Sequence, residues 1–191
     1  MTRIIGGKAG GRRIAVPRIT ATRPTSDKVR EALFSSLESE LGGLEGLRFL
    51  DLYAGSGAIG LEAWSRGAGV VTFVESDKRA ATVINHNADA VGLHRPHILT
   101  SPVATTLRRT PSAPYDVVFT DPPYGLAEGD VDADLRQLVS GGWISSRALL
   151  IVERSSRSPA PRWPDGVHRT RAKVYGETTL WYGNFDPSMQ L

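Results

Sequence analysis

The segment Asp51-Leu52-Tyr53-Ala54-Gly55-Ser56-Gly57-Ala58-Ile59-Gly60 constrains this chain more than any other. Its glycines follow the spacing G-x-G-x-x-G. They lie between an apolar run, Arg48–Ala54, and a stretch with helical character, Gly57–Gly67, that carries Leu61 and Trp64 on one side. At such a junction glycine lets the backbone turn sharply and approach a ligand closely. A strand that feeds a helix in this way belongs to a parallel sheet whose crossovers are helices. Glu75 closes the next apolar run, Val70–Val74, where an acid can accept bonds from two ribose hydroxyls. Loop and acid together point to a cofactor containing adenosine.

Two such cofactors fit, NAD and S-adenosylmethionine. Asp51 lies four residues before Gly55, the D-x-x-x-G-x-G placement of methyltransferases, where an acid can help satisfy the ammonium of a methionine moiety. Enzymes of dinucleotides usually need a separate substrate domain, and 191 residues leave little room for one. S-Adenosylmethionine is therefore the expected cofactor. Asp51, Tyr53, Gly55, Ser56, Gly57, Gly60 and Glu75 are its candidate ligands.

The rest of the chain agrees with a parallel α/β sheet. A helix is expected from Thr25 or Ser26, with Val29, Leu33, Leu37 and Leu41 along one face and Gly42-Gly43 ending it. After the glycine loop, Ser76-Asp77 can cap a helix that runs to about Val91. Pro96–Thr100 reads as a weak strand and Val103–Arg109 as a short helix. Tyr115–Thr120 is a strand, Asp130–Val139 a helix and Ala148–Glu153 a fifth strand. Near-continuous apolar strands alternating with helices imply a sheet covered on both faces. Arg171–Tyr175 and Thr178–Tyr182 flank Gly176-Glu177, a two-residue turn, so the sheet should close with an antiparallel hairpin.

Charge divides the chain. Residues 1–30 hold eight Lys or Arg against one acid, a net +7, and the remainder holds 15 bases against 19 acids, a net −4. A β-hairpin is expected here from Arg3–Gly7 and Arg12–Val16 around a glycine-rich loop, so residues 1–24 form a basic extension of a domain spanning 25–191. Such an arm suggests a polyanion, usually nucleic acid, as partner; a solvated terminus in an Arg-rich chain is the plainer alternative. Arg3, Lys8, Arg12, Arg13, Arg18, Arg23 and Arg30 are the candidate RNA contacts. The absence of cysteine excludes disulfides, thiolate metal centres and any mechanism through a covalent Cys adduct. No apolar run approaches the roughly 20 residues of a membrane span. The amino terminus lacks a signal-peptide core, so a cytoplasmic protein is expected. A monomer that needs no metal is expected as well.

Asp121-Pro122-Pro123-Tyr124 ends the fourth strand, at the carboxyl edge where open α/β sheets bind ligands. An exocyclic amino group on a base is a poor nucleophile because its lone pair is delocalised into the ring. The Asp121 carboxylate and the Pro122 carbonyl can accept its N–H bonds and so turn the lone pair towards a methyl donor. The prolines stiffen the backbone and remove competing donors, and Tyr124 offers a face for stacking an unstacked base. Catalysis on this scheme is mostly positioning.

With these motifs in place, the chain resembles the class I amino-methyltransferases, which pair a glycine loop with [Asn/Asp]-Pro-Pro-[Tyr/Phe]. Arg3-Ile4-Ile5-Gly6-Gly7, Gly11-Arg12-Arg13, Val16-Pro17, Arg23-Pro24-Thr25 and Asp27-Lys28-Val29-Arg30-Glu31 resemble the RsmD-type ribosomal RNA methyltransferases more specifically. Asp51–Glu62, Val74-Glu75-Ser76-Asp77, Val118–Tyr124 and Lys173-Val174-Tyr175-Gly176 extend the likeness over nearly the whole chain. The resemblance implies a Rossmann-like, seven-stranded sheet with an N-terminal hairpin extension. It also implies methyl transfer from S-adenosylmethionine to N2 of one guanine in 16S ribosomal RNA, within the small subunit. On it, Gly55, Ser56, Gly57 and Glu75 hold the cofactor, and Asp121 to Tyr124 the guanine. Where such enzymes place Asp or Asn after the third strand, this chain has Ser101-Pro102, leaving Ser101 or a backbone carbonyl for the adenine amino group.

Other readings of the motifs are a DNA amino-methyltransferase, a protein-glutamine methyltransferase and a ribosome-binding protein with a vestigial site. The first lacks room for a target-recognition domain, the second usually has Asn at the position of Asp121, and the intact motifs oppose the third. His94 and His97 are spaced like a metal pair, but surface histidines are the expectation. Trp64, Trp143 and Trp181 are expected in the core, and Trp163 in an exposed loop. Arg154, Arg157, Arg162, Arg169, Arg171 and Lys173 form a second basic cluster.

Overall fold

A computed structural model describes residues 1–16 and 26–189. The expected connector Pro17–Pro24, with Arg18 and Arg23, lies outside the described residues. Strands β1 (Thr2–Arg3) and β2 (Arg13–Ile14) pair antiparallel, and helix α1 spans Asp27–Leu41. Then follow β3 (Arg48–Leu52), α2 (Ala58–Ser65), β4 (Val70–Glu75), α3 (Lys78–Val91), β5 (His97–Thr100), α4 (Val103–Leu107), β6 (Tyr115–Thr120), α5 (Glu128–Ser140), β7 (Ile144–Ser155), β8 (Val167–Tyr175) and β9 (Thr178–Phe185).

The caps explain the helix boundaries. Ser26 accepts the Val29 N–H at the start of α1, and Gly42 ends the helix in the left-handed conformation. Asp77 accepts the N–H groups of Arg79 and Ala80 at the start of α3.

The main sheet has the order β5-β4-β3-β6-β7-β9-β8. β3 through β7 are parallel, and β9 joins β7 and β8 antiparallel. From β3 the chain builds outward to β4 and β5, then crosses to β6 on the other side. The switch point therefore lies between the carboxyl ends of β3 and β6, where ligands bind in such sheets. One face carries Phe49, Phe73, Val117, Phe119, Leu149, Ile151 and α1 to α3, and the other Leu50, Leu52, Val118, Leu150, Val152, α4 and α5.

Three strands are longer than their sequences suggest. β7 begins at Ile144, because two steps along β6 are matched by five along β7. This bulge contains Arg147 in a left-handed conformation, and Ser145-Ser146-Arg147 hides it from any apolar pattern. The β8–β9 ribbon extends to Val167 and Phe185 through a shift between Arg169 and Arg171.

The N-terminal hairpin is built into the fold. Ile4, Ala9 and Ile14 are buried in the same cluster as Phe34, Phe49 and Phe73. Glu62, fully buried in α2, accepts the N–H groups of Ile5 (2.7 Å) and Gly6 (2.8 Å) and pairs with Arg66 Nε (2.8 Å). Ser65 Oγ accepts from the Ala9 N–H and donates to the Gly6 carbonyl. Asn87 of α3 bonds both backbone groups of Ala15 and donates to the Ser56 carbonyl, tying hairpin, helix and glycine loop together. Among the described residues, no helix is long and apolar enough to cross a membrane.

Candidate active site

The glycine loop leaves β3 through Tyr53, whose φ of 58° is left-handed. A non-glycine residue held there costs on the order of 1–3 kcal/mol. Its hydroxyl donates to Asp134 Oδ2 of α5 at 2.6 Å. Burial and Asp134 raise the phenol's pKa, so it stays a neutral donor.

The three glycines do different work. A Cβ on Gly55, where φ is 56°, would meet nothing within 4 Å, so its backbone faces open space at the sheet edge. A Cβ on Gly60 would lie 2.4 Å from the Phe73 ring, so this glycine lets α2 approach β4. Gly57 stands between, at the N-cap of α2 and near Ile84 and Phe73. Gly60 is thus a packing position rather than a surface open to a ligand.

Carboxylates brace the loop. Glu75 accepts the Gly55 N–H on Oε2 (2.8 Å) and the Asp77 N–H on Oε1 (2.9 Å). A carboxylate offers about four acceptor sites, so Glu75 can still receive two ribose hydroxyls. Asp51 is 2% exposed and accepts the Gly60 N–H at 2.9 Å, holding the loop from behind. Burial raises its carboxyl well above the usual carboxylate range; the Gly60 N–H opposes this and the Glu75 charge adds to it. Across the edge, the Ser101 N–H is bonded to the Glu75 carbonyl, and the Ser101 hydroxyl donates to the Pro102 carbonyl at 3.5 Å.

On the other side of the switch point, Asp121 directly follows β6. Pro122 is buried, Pro123 is exposed and Tyr124 is 57% exposed, a large aromatic surface at the sheet edge. The Asp121 carboxyl is held well above the ordinary range by burial, then by the charges of Glu153 and Asp51, with Arg154 acting the other way. Asp51, Asp121 and Glu153 continue the face that carries Phe49, Phe119 and Ile151, since alternate strand residues share a face. The structure thus brings the glycine loop, Glu75 and the Asp-Pro-Pro-Tyr segment to one edge. It also adds Glu153 and Asp134, which the sequence analysis did not single out. A charged residue ending the apolar run Ala148–Val152 was the available signal for Glu153.

The basic candidates are scattered. Arg30 is fully buried, with Nη2 donating to Thr2 Oγ1, the Arg3 carbonyl and Asp27. It holds β1 to α1 and presents no charge to a polyanion. Arg3 lies near Asp27, Lys8 sits 3.8 Å over the Trp64 ring, and Arg12 reaches the Ala90 carbonyl. α2 runs antiparallel to β3, and Gly67 after it bonds Gly46 before β3. The hairpin tip beside Ser65 therefore lies at the amino edge, away from Asp121. Arg13 is exposed.

Much of the second basic cluster is also paired. Arg154 binds Glu128, Arg171 binds Glu40, and Arg169 and Arg171 lie over Trp181 and Tyr182. Trp163, expected in an exposed loop, packs on the core of the α4–α5 face, because Gly183 lacks the Cβ that would meet its ring at 3.0 Å. Trp143 is buried, while Trp64 and Trp181 are partly buried. His97 bonds Thr72 through Nδ1. Among the described residues, no group of three His, Asp or Glu is placed to hold a metal ion.

The profile of the family described as conserved hypothetical protein 95 matches residues 2–184. Ribosomal RNA small subunit methyltransferase D of Escherichia coli K12 is 34% identical over 175 residues, 92% of this chain and 85% of that protein. The protein of the same name from Haemophilus influenzae is 35% identical over 162 residues, 82% of this chain and 80% of its own. Among solved structures, the yhhF protein of Escherichia coli superposes with a TM-score of 0.85 at 31% identity, covering 97% of this chain and 98% of that one.

Proposed function

Because the chain belongs to the conserved hypothetical protein 95 family, we propose that it methylates the exocyclic N2 amino group of one guanine in 16S ribosomal RNA of the small subunit, using S-adenosylmethionine. The observation that carries this reading is the shared edge: the glycine loop with Glu75 and the Asp121-Pro122-Pro123-Tyr124 segment face each other across the switch point. Its relatives' names supply the ribosomal RNA.

The residues present fit the cofactor. Open space over Gly55 leaves room for a ligand close to the backbone, Glu75 has acceptor capacity for ribose, and Ser101, bonded to the backbone of Glu75, is the residue proposed to meet adenine. When bound, S-adenosylmethionine supplies a methyl group on a cationic sulfur, an electrophile that needs only an aligned nucleophile. Tyr124 stacks the extruded base. The Asp121 carboxylate and Pro122 carbonyl accept the two N–H bonds of the amino group and aim its lone pair. Attack of that lone pair on the donor's methyl would break the S–C bond and release S-adenosylhomocysteine, and Asp121 or water would take the proton of the resulting cationic amine.

Arg3, Lys8, Arg12 and Arg13 are proposed to contact RNA phosphates, with Lys8 and Arg12 reaching parts of the substrate remote from the methylated base. Arg30 is excluded by its burial.

The test is radiolabelled methyl transfer to small subunits lacking the modification, with naked RNA, DNA and protein in parallel, followed by nucleoside identification. N2-Methylguanosine in 16S RNA is the expected product. Label in adenosine, in DNA or in protein would overturn the reading in favour of a different amino-methyltransferase.

A further inference from the structure

A groove of about 680 Å³ runs between α1 and β8, lined by Ser35, Ser36 and Ser39 from the helix and by Arg171, Lys173 and Tyr175 from the strand. The Ser36 hydroxyl accepts from both cations at once, from Arg171 Nη2 at 3.0 Å and from Lys173 Nζ at 3.2 Å. Two like charges thus converge on one neutral oxygen. Glu40, on the same helix, binds Arg171, and the Tyr182 ring lies 4.1 Å from its guanidinium. Arg171, Lys173 and Glu40 together leave the lining with a net charge of +1. One phosphodiester carries a single negative charge that matches this excess, and its oxygens form stronger bonds with cations than a hydroxyl does.

The groove reaches the level of the active edge. Lys173 pairs with Leu180 and Leu180 with Glu153, the residue after the Val152 partner of Thr120. Lys173 therefore stands three strand spacings from Asp121, roughly 14 Å across the sheet. Leu180 and Tyr182 belong to the core of the α1 to α3 face, and their partners Lys173 and Arg171 share that face. An RNA strand whose base enters at Asp121 and runs along this face reaches the groove within a few nucleotides. The N-terminal cations do not serve there: Arg30 is buried, and the hairpin tip lies at the amino edge.

We propose that the groove between α1 and β8 holds the backbone of the RNA strand that carries the target guanine, with Lys173 and Arg171 together neutralising one phosphate near that nucleotide. The assignment rests on the guanine-methylating function proposed above. It gives a binding role to part of the second basic cluster, on the far strand of the sheet from the glycine loop.

The experiment measures the affinity of the full chain, loaded with S-adenosylhomocysteine, for small subunits lacking the modification, between 50 and 200 mM salt. Lys173→Gln should weaken binding roughly tenfold at about 50 mM salt, and the deficit should shrink about threefold by about 200 mM, as for one phosphate contact fewer. Ser36→Asp puts an acid between the two cations, where the phosphate is expected. It should lower affinity by a similar factor while leaving thermal stability unchanged or raised. Arg136→Gln removes an exposed cation from α5 on the opposite face and should cost less than about twofold. At saturating subunits, Lys173→Gln should methylate at the wild-type rate, with its defect confined to KM.

Affinities of Lys173→Gln and Ser36→Asp within about twofold of wild type overturn the assignment. So does a loss no larger than that of Arg136→Gln, which would be an effect of net charge alone, or a fall in kcat at unchanged affinity. A wild-type protein that leaves small subunits unmethylated removes instead the proposed function, and the groove's partner with it.

Discussion

The two halves of the active edge are built on opposite principles. In the cofactor half, each carboxylate is matched to backbone donors of its own neighbourhood: Asp51 to Gly60, Glu75 to Gly55 and Asp77, Asp77 to Arg79 and Ala80. The loop is braced in its final shape before any ligand arrives. In the acceptor half, Asp121 is governed by burial and by two other carboxylates, Glu153 and Asp51. That half is therefore sensitive to any change in the charge around Asp121, Arg154 acting against the two carboxylates. The difference teaches that two kinds of control are divided here: one side is set by preformed backbone bonds, the other by burial and neighbouring charge.

The comparison breaks most visibly at Asp121. Asp121→Ala removes the acceptor that orients the amino group, and turnover should fall roughly a thousandfold or more, as for loss of an oriented polar group at a reacting centre. Equilibrium binding of S-adenosylhomocysteine should stay within about twofold, because the cofactor half is braced independently. Single-turnover methylation and calorimetry test the two together. A parallel loss of both would mean that the halves are not separate.

A second test moves to the hairpin that supports the cofactor half from behind. Glu62→Ala leaves the Ile5 and Gly6 N–H groups and Arg66 without their buried acceptor. Breaking a buried, hydrogen-bonded charge pair should cost about 3–5 kcal/mol of stability in a denaturant titration. Gly60→Ala should cost less, about 1–3 kcal/mol, by pushing α2 off the Phe73 ring. It should also weaken cofactor binding more than it alters the response to the acceptor base, the reverse of the pattern for Asp121→Ala.

The same contrast explains what could be read from the chain. The cofactor half was legible because its parts are contiguous. Asp51, the glycines and Glu75 sit at spacings fixed by one βα turn and the next strand. Helix caps such as Ser26 and Asp77 are local in the same way, and their helices begin as expected. Asp121 was visible through its prolines. Glu153 was not, because its place beside Asp121 depends on the register of β6 against β7, which a bulge with Arg147 resets. Arg30 misled for a similar reason: its charge resembles its neighbours' in the sequence, yet only tertiary packing reveals that it bonds Thr2 and Arg3 inside the fold. Charge counting registers how many cations a segment holds, whereas burial decides which of them remain available.

The finest test of the contrast is the pH dependence of single-turnover methylation. Asp121 accepts N–H bonds as a carboxylate, so the rate should rise with pH as this group ionises. Burial, Glu153 and Asp51 push that ionisation above the ordinary carboxylate range, while Arg154 pulls it down. Neutralising Glu153 as Gln removes a repelling charge, so Asp121 ionises more easily and the rising limb should move to lower pH. Arg154→Met removes the opposing cation, so the limb should move to higher pH. The two shifts have opposite signs although both substitutions lie on adjacent residues of β7. A general loosening of the edge would move both profiles the same way, and that outcome would place control of Asp121 in packing rather than in the charges around it.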